Sequence, residues 1–140
     1  MDLDVVVDRD GDGDDGSNFC PRPPIPGDML SFQKLEVYKC SVEFVAVAIE
    51  GCVWMPKGHA ALSDQLRRAA FSVPLNIAEA AVRTSQAAAA RHYAIASGSA
   101  MESAAIFEVV RCLSALRPEQ DQRGLELLAR IVAMLTKLCR

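Results

Sequence analysis

Residues 62–80 read LSDQLRRAAFSVPLNIAEA, and their spacing decides the fold. Leu62, Leu66, Ala69, Val73, Ile77 and Ala80 recur at steps of three and four, which places them on one face of an α-helix. A half-buried strand needs an apolar residue at every second position, and that alternation does not run through the stretch. Pro74 falls inside the pattern, where it removes one backbone donor. The apolar spacing continues on both sides of it, so the sequence predicts a kinked helix from about residue 60 to Val82.

The same periodicity extends in both directions. Phe32, Leu35, Tyr38, Val42, Val45, Ile49 and Val53 predict a first helix from Ser31, a residue that can cap it, to about Trp54. Met55-Pro56-Lys57-Gly58 then ends it. A third helix is expected from Thr84 or Ser85 to about Leu116, with Ala94, Gly98, Met101, Ala105, Val109, Cys112 and Leu116 as its seam. Residues 94–105 are small, so a neighbouring helix can come close. Close packing would justify Gly98, which costs about 1 kcal/mol relative to Ala inside a helix. Pro118, followed by Glu119 and Asp121, suits a fourth first turn. Leu125, Leu128, Val132, Leu135 and Cys139 form that helix's stripe, and Gly124 is expected to delay its regular part. Four long amphipathic helices with short connections predict an all-α antiparallel up-down four-helix bundle over residues 31–140.

Residues 1–30 have another texture. They hold eight Asp against two Arg, a net −6, whereas residues 31–140 carry +3. Asp8–Gly16 is low in complexity, and Pro21, Pro23, Pro24 and Pro26 favour an extended connector, so a disordered acidic tail is expected. Asp8, Asp10, Asp12 and Gly13 imitate the start of a calcium loop. Phe19 stands where the closing Glu belongs, leaving a solvated charge run. The acidic Met-Asp-Leu-Asp start and the lack of any run of roughly 20 apolar residues argue against secretion and membrane insertion. A cytoplasmic protein is expected. Five cysteines without a C-x-x-C pair read as reduced thiols. Together with His59 and His92 they offer no closely spaced ligand pair, so no metal and no cofactor is expected. No glycine-rich phosphate loop, H-E-x-x-H pair or nucleophile–histidine pattern is present. No catalytic residue is assigned, and a non-enzymatic role follows.

Three motifs stand in order: Phe32-x-x-Leu35-x-Val37-Tyr38; Gln65 to Glu79, continuing to Arg83 and Ser85; and Ala96-Ser97-Gly98-Ser99 with Glu102. Together they resemble the four-helix-bundle protein family that includes proteins encoded in intervening sequences of 23S ribosomal RNA genes. The accessory variability proteins of diversity-generating retroelements are similar. The resemblance covers residues 31–138. The chain departs from it in Leu75, in Ala80 where the family has Gly, and in Ala88 where an acid would complete a capping box with Ser85. It implies a homo-pentamer. In the retroelement branch it implies a basic ring that supports reverse transcription by binding the polymerase and nucleic acid.

Arg67, Arg68, Arg83 and Arg91 are the candidate RNA or DNA contacts. Their plainer reading is surface pairing, since Asp64 precedes Arg68, and Glu79 precedes Arg83, by four residues. Asn76, near the apolar seam, is expected to fix helix register or to bond backbone freed by Pro74. Glu79 and Glu102 are expected to bond arginines at helix ends or interfaces, and Gly98 to allow close packing. Trp54 is expected to cap the core or touch another subunit, and the two histidines to face solvent or an interface. These readings converge on an oligomeric scaffold, binding nucleic acid or a nucleic-acid-handling protein such as a reverse transcriptase. The alternative is a module that binds only protein, with the tail covering the basic body or engaging a basic partner.

Overall fold

The computed structural model describes residues 30–113 and 116–140. A 3-10 turn, Ser31–Lys34, precedes α1 (Glu36–Val53), α2 (Ala60–Ala81), α3 (Gln86–Cys112) and α4 (Pro118–Leu138). Each helix packs on the next and α4 closes on α1, and among the described residues diagonal helices do not approach backbone to backbone. This is the antiparallel up-down four-helix bundle, with no strand among the described residues. The expected tail lies outside them except for Leu30.

Phe44, Leu66, Ile77, Phe107, Leu127, Ile131 and Leu135 have no more than a trace of exposed surface. Burying one such side chain stabilises the fold by roughly 1.5–3 kcal/mol. Phe44 of α1 and Phe107 of α3 meet across the bundle with ring centroids 5.6 Å apart. α4 passes close beside that ring. A Cβ built on Gly124 would lie 2.4 Å from Phe107 Cε1, so only glycine fits without displacement. Gly124 therefore belongs to the regular helix as a close-approach residue and does not delay it.

α2 is the helix its sequence describes. Leu66, Ala69, Val73, Ile77 and Ala80 are buried, and the helix continues through Pro74. Two other expectations need correction. The first helix begins at Glu36, because Leu35 is extended (φ −71°, ψ 128°) and interrupts the helical hydrogen-bond ladder. Ser31 makes no side-chain cap. Instead the Leu30 amide donates to Gln33 Oε1 at 2.9 Å. The buried face of α1 is Val37, Cys40, Ser41, Phe44, Ala48, Gly51 and Cys52, while the expected stripe forms its flank.

The third helix is displaced in the same manner. Its buried residues are Ala96, Ala100, Ser103, Ile106, Phe107 and Val110, and it ends at Cys112. Of the expected seam, Ala94, Gly98, Met101, Ala105, Val109 and Cys112 are exposed, whereas Leu116 lies beyond the helix and packs, partly buried, against the core. Its start is as expected, with Ser85 Oγ accepting from the Ala88 amide at 3.1 Å. This is the first half of a capping box; Ala88 has no side chain to return the bond.

Candidate functional site

Charge is distributed unevenly around the bundle. Across the α1–α4 seam, Arg123 pairs with Glu43, and Arg130 with Glu36 at 3.4 Å. Arg111 Nε donates to Asp121 at 2.8 Å, and that bond and charge raise the guanidinium pKa above its ordinary value. Exposed pairs of this kind contribute only about 0–1 kcal/mol each, but they neutralise the arginines. In α2 and the first half of α3, three arginines lack such partners. Arg67, Arg68 and Arg91 have no carboxylate within 4.0 Å among the described residues. The expected Asp64–Arg68 pair does not form, whereas Glu79–Arg83 does.

The four candidate arginines do not make one cluster. Arg67 and Arg68 lie in the first half of α2, and Arg83 lies just beyond its end. At 1.5 Å per residue, Arg67 and Arg83 are separated by roughly 24 Å along the helix direction. Arg83 and Arg91 instead converge on the α2–α3 corner. With Ala88, His92 and Ile95 they line an open cavity of about 360 Å³.

A chain of hydrogen bonds supports that cavity from behind. Asn76 Nδ2 donates to the Ser72 carbonyl at 2.8 Å and approaches Ser72 Oγ at 3.1 Å. Asn76 Oδ1 faces His92 Nδ1 at 3.2 Å. Ser99 Oγ on α3 donates to Ser72 Oγ at 2.8 Å. Asn76 thus ties α2 to α3, which is a register role. The carbonyl it binds belongs to Ser72, however, while the donor removed by Pro74 would have served Ala70. Sequence reasoning left His92 as a solvent or interface residue. The available signal was Ser72 and Asn76, one turn apart beside an apolar stripe, which need partners from another helix.

The other candidates sit elsewhere. Glu102 accepts from Gln65 Nε2 at 2.7 Å, joining α3 to α2 through an amide and not through an arginine. Trp54 closes α1 half-exposed, with the Arg117 guanidinium 4.3 Å from its ring centroid. A Cβ on Gly98 would have nothing within 4 Å, so no packing inside the subunit explains this glycine. Beside it, Met101 and Val109 are 57% and 50% exposed. A second apolar surface, a groove of about 230 Å³, runs between α1 and α2 past Tyr38, Val42, Val45, Phe71 and Leu75.

Burial raises the Cys40 thiol pKa, which keeps it protonated and inert. No group of three or more His, Cys, Asp or Glu side chains suited to a metal ion occurs among the described residues. No described helix is long and apolar enough to cross a membrane.

The profile of a family described as 23S rRNA-intervening sequence protein matches residues 33–137. No curated protein matches the chain closely enough to count as a relative. The match spans all four helices, and the chain belongs to that family.

Proposed function

Starting from that membership, we propose that the protein is a non-enzymatic oligomeric scaffold of the cytoplasm. Its α2–α3 side presents basic charge to RNA, DNA or a nucleic-acid-handling protein such as a reverse transcriptase. The observation that carries this reading is the α3 stripe Ala94, Gly98, Met101, Ala105 and Val109, apolar or small throughout, each member of which is exposed in one subunit. An exposed apolar row of this length marks an association surface. Small side chains let a second helix approach closely, which supplies the reason for Gly98 that one subunit lacks. The family resemblance supports a pentamer as the form of that assembly. Arg67, Arg68 and Arg91, without carboxylate partners among the described residues, add the charge that phosphates recognise.

Light scattering at micromolar concentration is expected to show an oligomer, and a monomer would overturn the scaffold. Nucleic-acid binding is expected to weaken steeply between about 50 and 200 mM salt, as counterion release requires. Failure to bind at the lower salt would remove the nucleic-acid part.

The α1–α2 groove favours a second reading, a module that binds only protein, because its lining is apolar and carries no arginine. Deleting residues 1–30, which carry a net −6, separates the two. If the tail masks the basic body, nucleic-acid affinity rises on deletion. If affinity stays undetectable, the protein-only reading stands.

A further inference from the structure

We propose that the cavity at the α2–α3 corner is a phosphate site, built to take the terminal phosphate of a nucleotide or nucleic-acid strand. This inference rests on the nucleic-acid reading above and narrows it from a basic surface to one place. The orientation of His92 is the starting point. The amide nitrogen of Asn76 is committed to Ser72, so its oxygen is the atom that faces His92 Nδ1. An amide oxygen only accepts, which obliges Nδ1 to carry a proton. Nε2 is then the ring nitrogen left for a ligand, and it has no protein partner among the described residues. The chain from Ser99 through Ser72 and Asn76 fixes the ring before any ligand arrives.

Arg83 and Arg91 line the same cavity as His92. Arg91 has no carboxylate neighbour among the described residues, so all five of its N–H donors remain available. Arg83 engages Glu79 through Nη2, leaving its other donors for a ligand. Both therefore offer charge-assisted, forked bonds of the kind phosphate oxygens accept. A volume of about 360 Å³ exceeds what an isolated phosphate fills, and Ile95, 43% exposed, supplies an apolar wall for an attached sugar or base.

The imidazole discriminates between phosphate types. With the proton on Nδ1 the neutral ring presents Nε2 as an acceptor, and a terminal phosphate, whose second ionisation lies near pH 6, can supply a P–OH donor to it. An internal phosphodiester has no proton to give. The site therefore favours strand ends and mononucleotides over internal backbone.

The test uses the full chain with its imidazole nitrogens observed by NMR. Inorganic phosphate and adenosine monophosphate are expected to shift the His92 ring signals but not those of His59. A 5′-phosphorylated single-stranded oligonucleotide is expected to bind about tenfold tighter than its 5′-hydroxyl twin, the scale of one charge-assisted hydrogen bond. Arg91→Gln and His92→Gln are exposed or half-exposed changes, and each should erase that preference while leaving the circular dichroism of the bundle unchanged. Equal affinity for the two oligonucleotides, with His92 unmoved by phosphate, overturns the site yet leaves nucleic-acid binding intact. Phosphate and the mononucleotide shifting His92 while neither oligonucleotide binds at about 50 mM salt supports the cavity and sinks the broader reading.

Discussion

α3 and α4 are neighbours whose sequences distribute apolar residues in opposite ways. In α4, Gly124, Leu127, Leu128, Ile131 and Leu135 face inward, while Glu119, Arg123, Glu126, Arg130 and Lys137 face solvent. Its partly buried Leu125 and Val132 flank the inward row. In α3 the inward row from Ala96 to Val110 has a rival on the outside, from Ala94 to Val109. A helix apolar on one side needs only its own subunit to satisfy it. One apolar on both sides keeps something over for another chain. The comparison locates the surface that this fold leaves unfinished.

The largest expected effect tests the inward side of α3. Phe107 is fully buried, and its ring both meets Phe44 and lies under Gly124. Phe107→Ala is expected to destabilise the bundle by about 3–5 kcal/mol, read from the urea midpoint at unchanged slope. A loss below about 1 kcal/mol would mean that the outward row, and not this one, holds the subunit together.

Both stripes of α3 are visible in its sequence, but periodicity does not rank them. The outward row repeats at three- and four-residue steps as regularly as the inward one, and the inward row includes the polar Ser103, whose hydroxyl is satisfied by the Ser99 carbonyl. α1 misleads in the same way, because its buried face runs through Cys40, Ser41 and Gly51, while Val42, Val45 and Ile49 lie on the flank. In α4 charged residues fill the solvent side and the apolar face is plain, and in α2 the inward row stands out although Phe71 and Leu75 are exposed. The candidate site divides similarly. Arg83 and Arg91 were legible as cations, but their convergence with His92 depends on the α2–α3 turn and on an Asn76 contact spanning 16 positions. The pairing of Glu102 with Gln65 spans 37. Spacing within one helix carries no information about such cross-helix partners.

A smaller effect comes from the α4 side of the same contact. Gly124→Ala places a methyl against a ring that is itself enclosed, so the neighbouring helix must shift. The expected cost is about 1–3 kcal/mol, the usual range for overpacking, although alanine is the better helix former. If the variant proved more stable than the parent, α4 and α3 would be farther apart than this geometry states.

Gly98→Ala reverses the logic of that substitution and carries the smallest expected change. The new methyl meets nothing within 4 Å inside the subunit, so helix propensity alone should raise subunit stability by about 1 kcal/mol. Between subunits the same methyl stands where a second helix is proposed to approach, and it should weaken association. The two effects separate by dilution, because association stabilises an oligomer by mass action and leaves a monomer untouched. Melting of the variant against the parent is therefore expected to be higher at nanomolar concentration and lower at high micromolar concentration. A gain that stays constant across that range would show that Gly98 has no partner helix. The outward stripe of α3 would then be exposed apolar surface and not an interface, and the difference between α3 and α4 would lose its functional meaning.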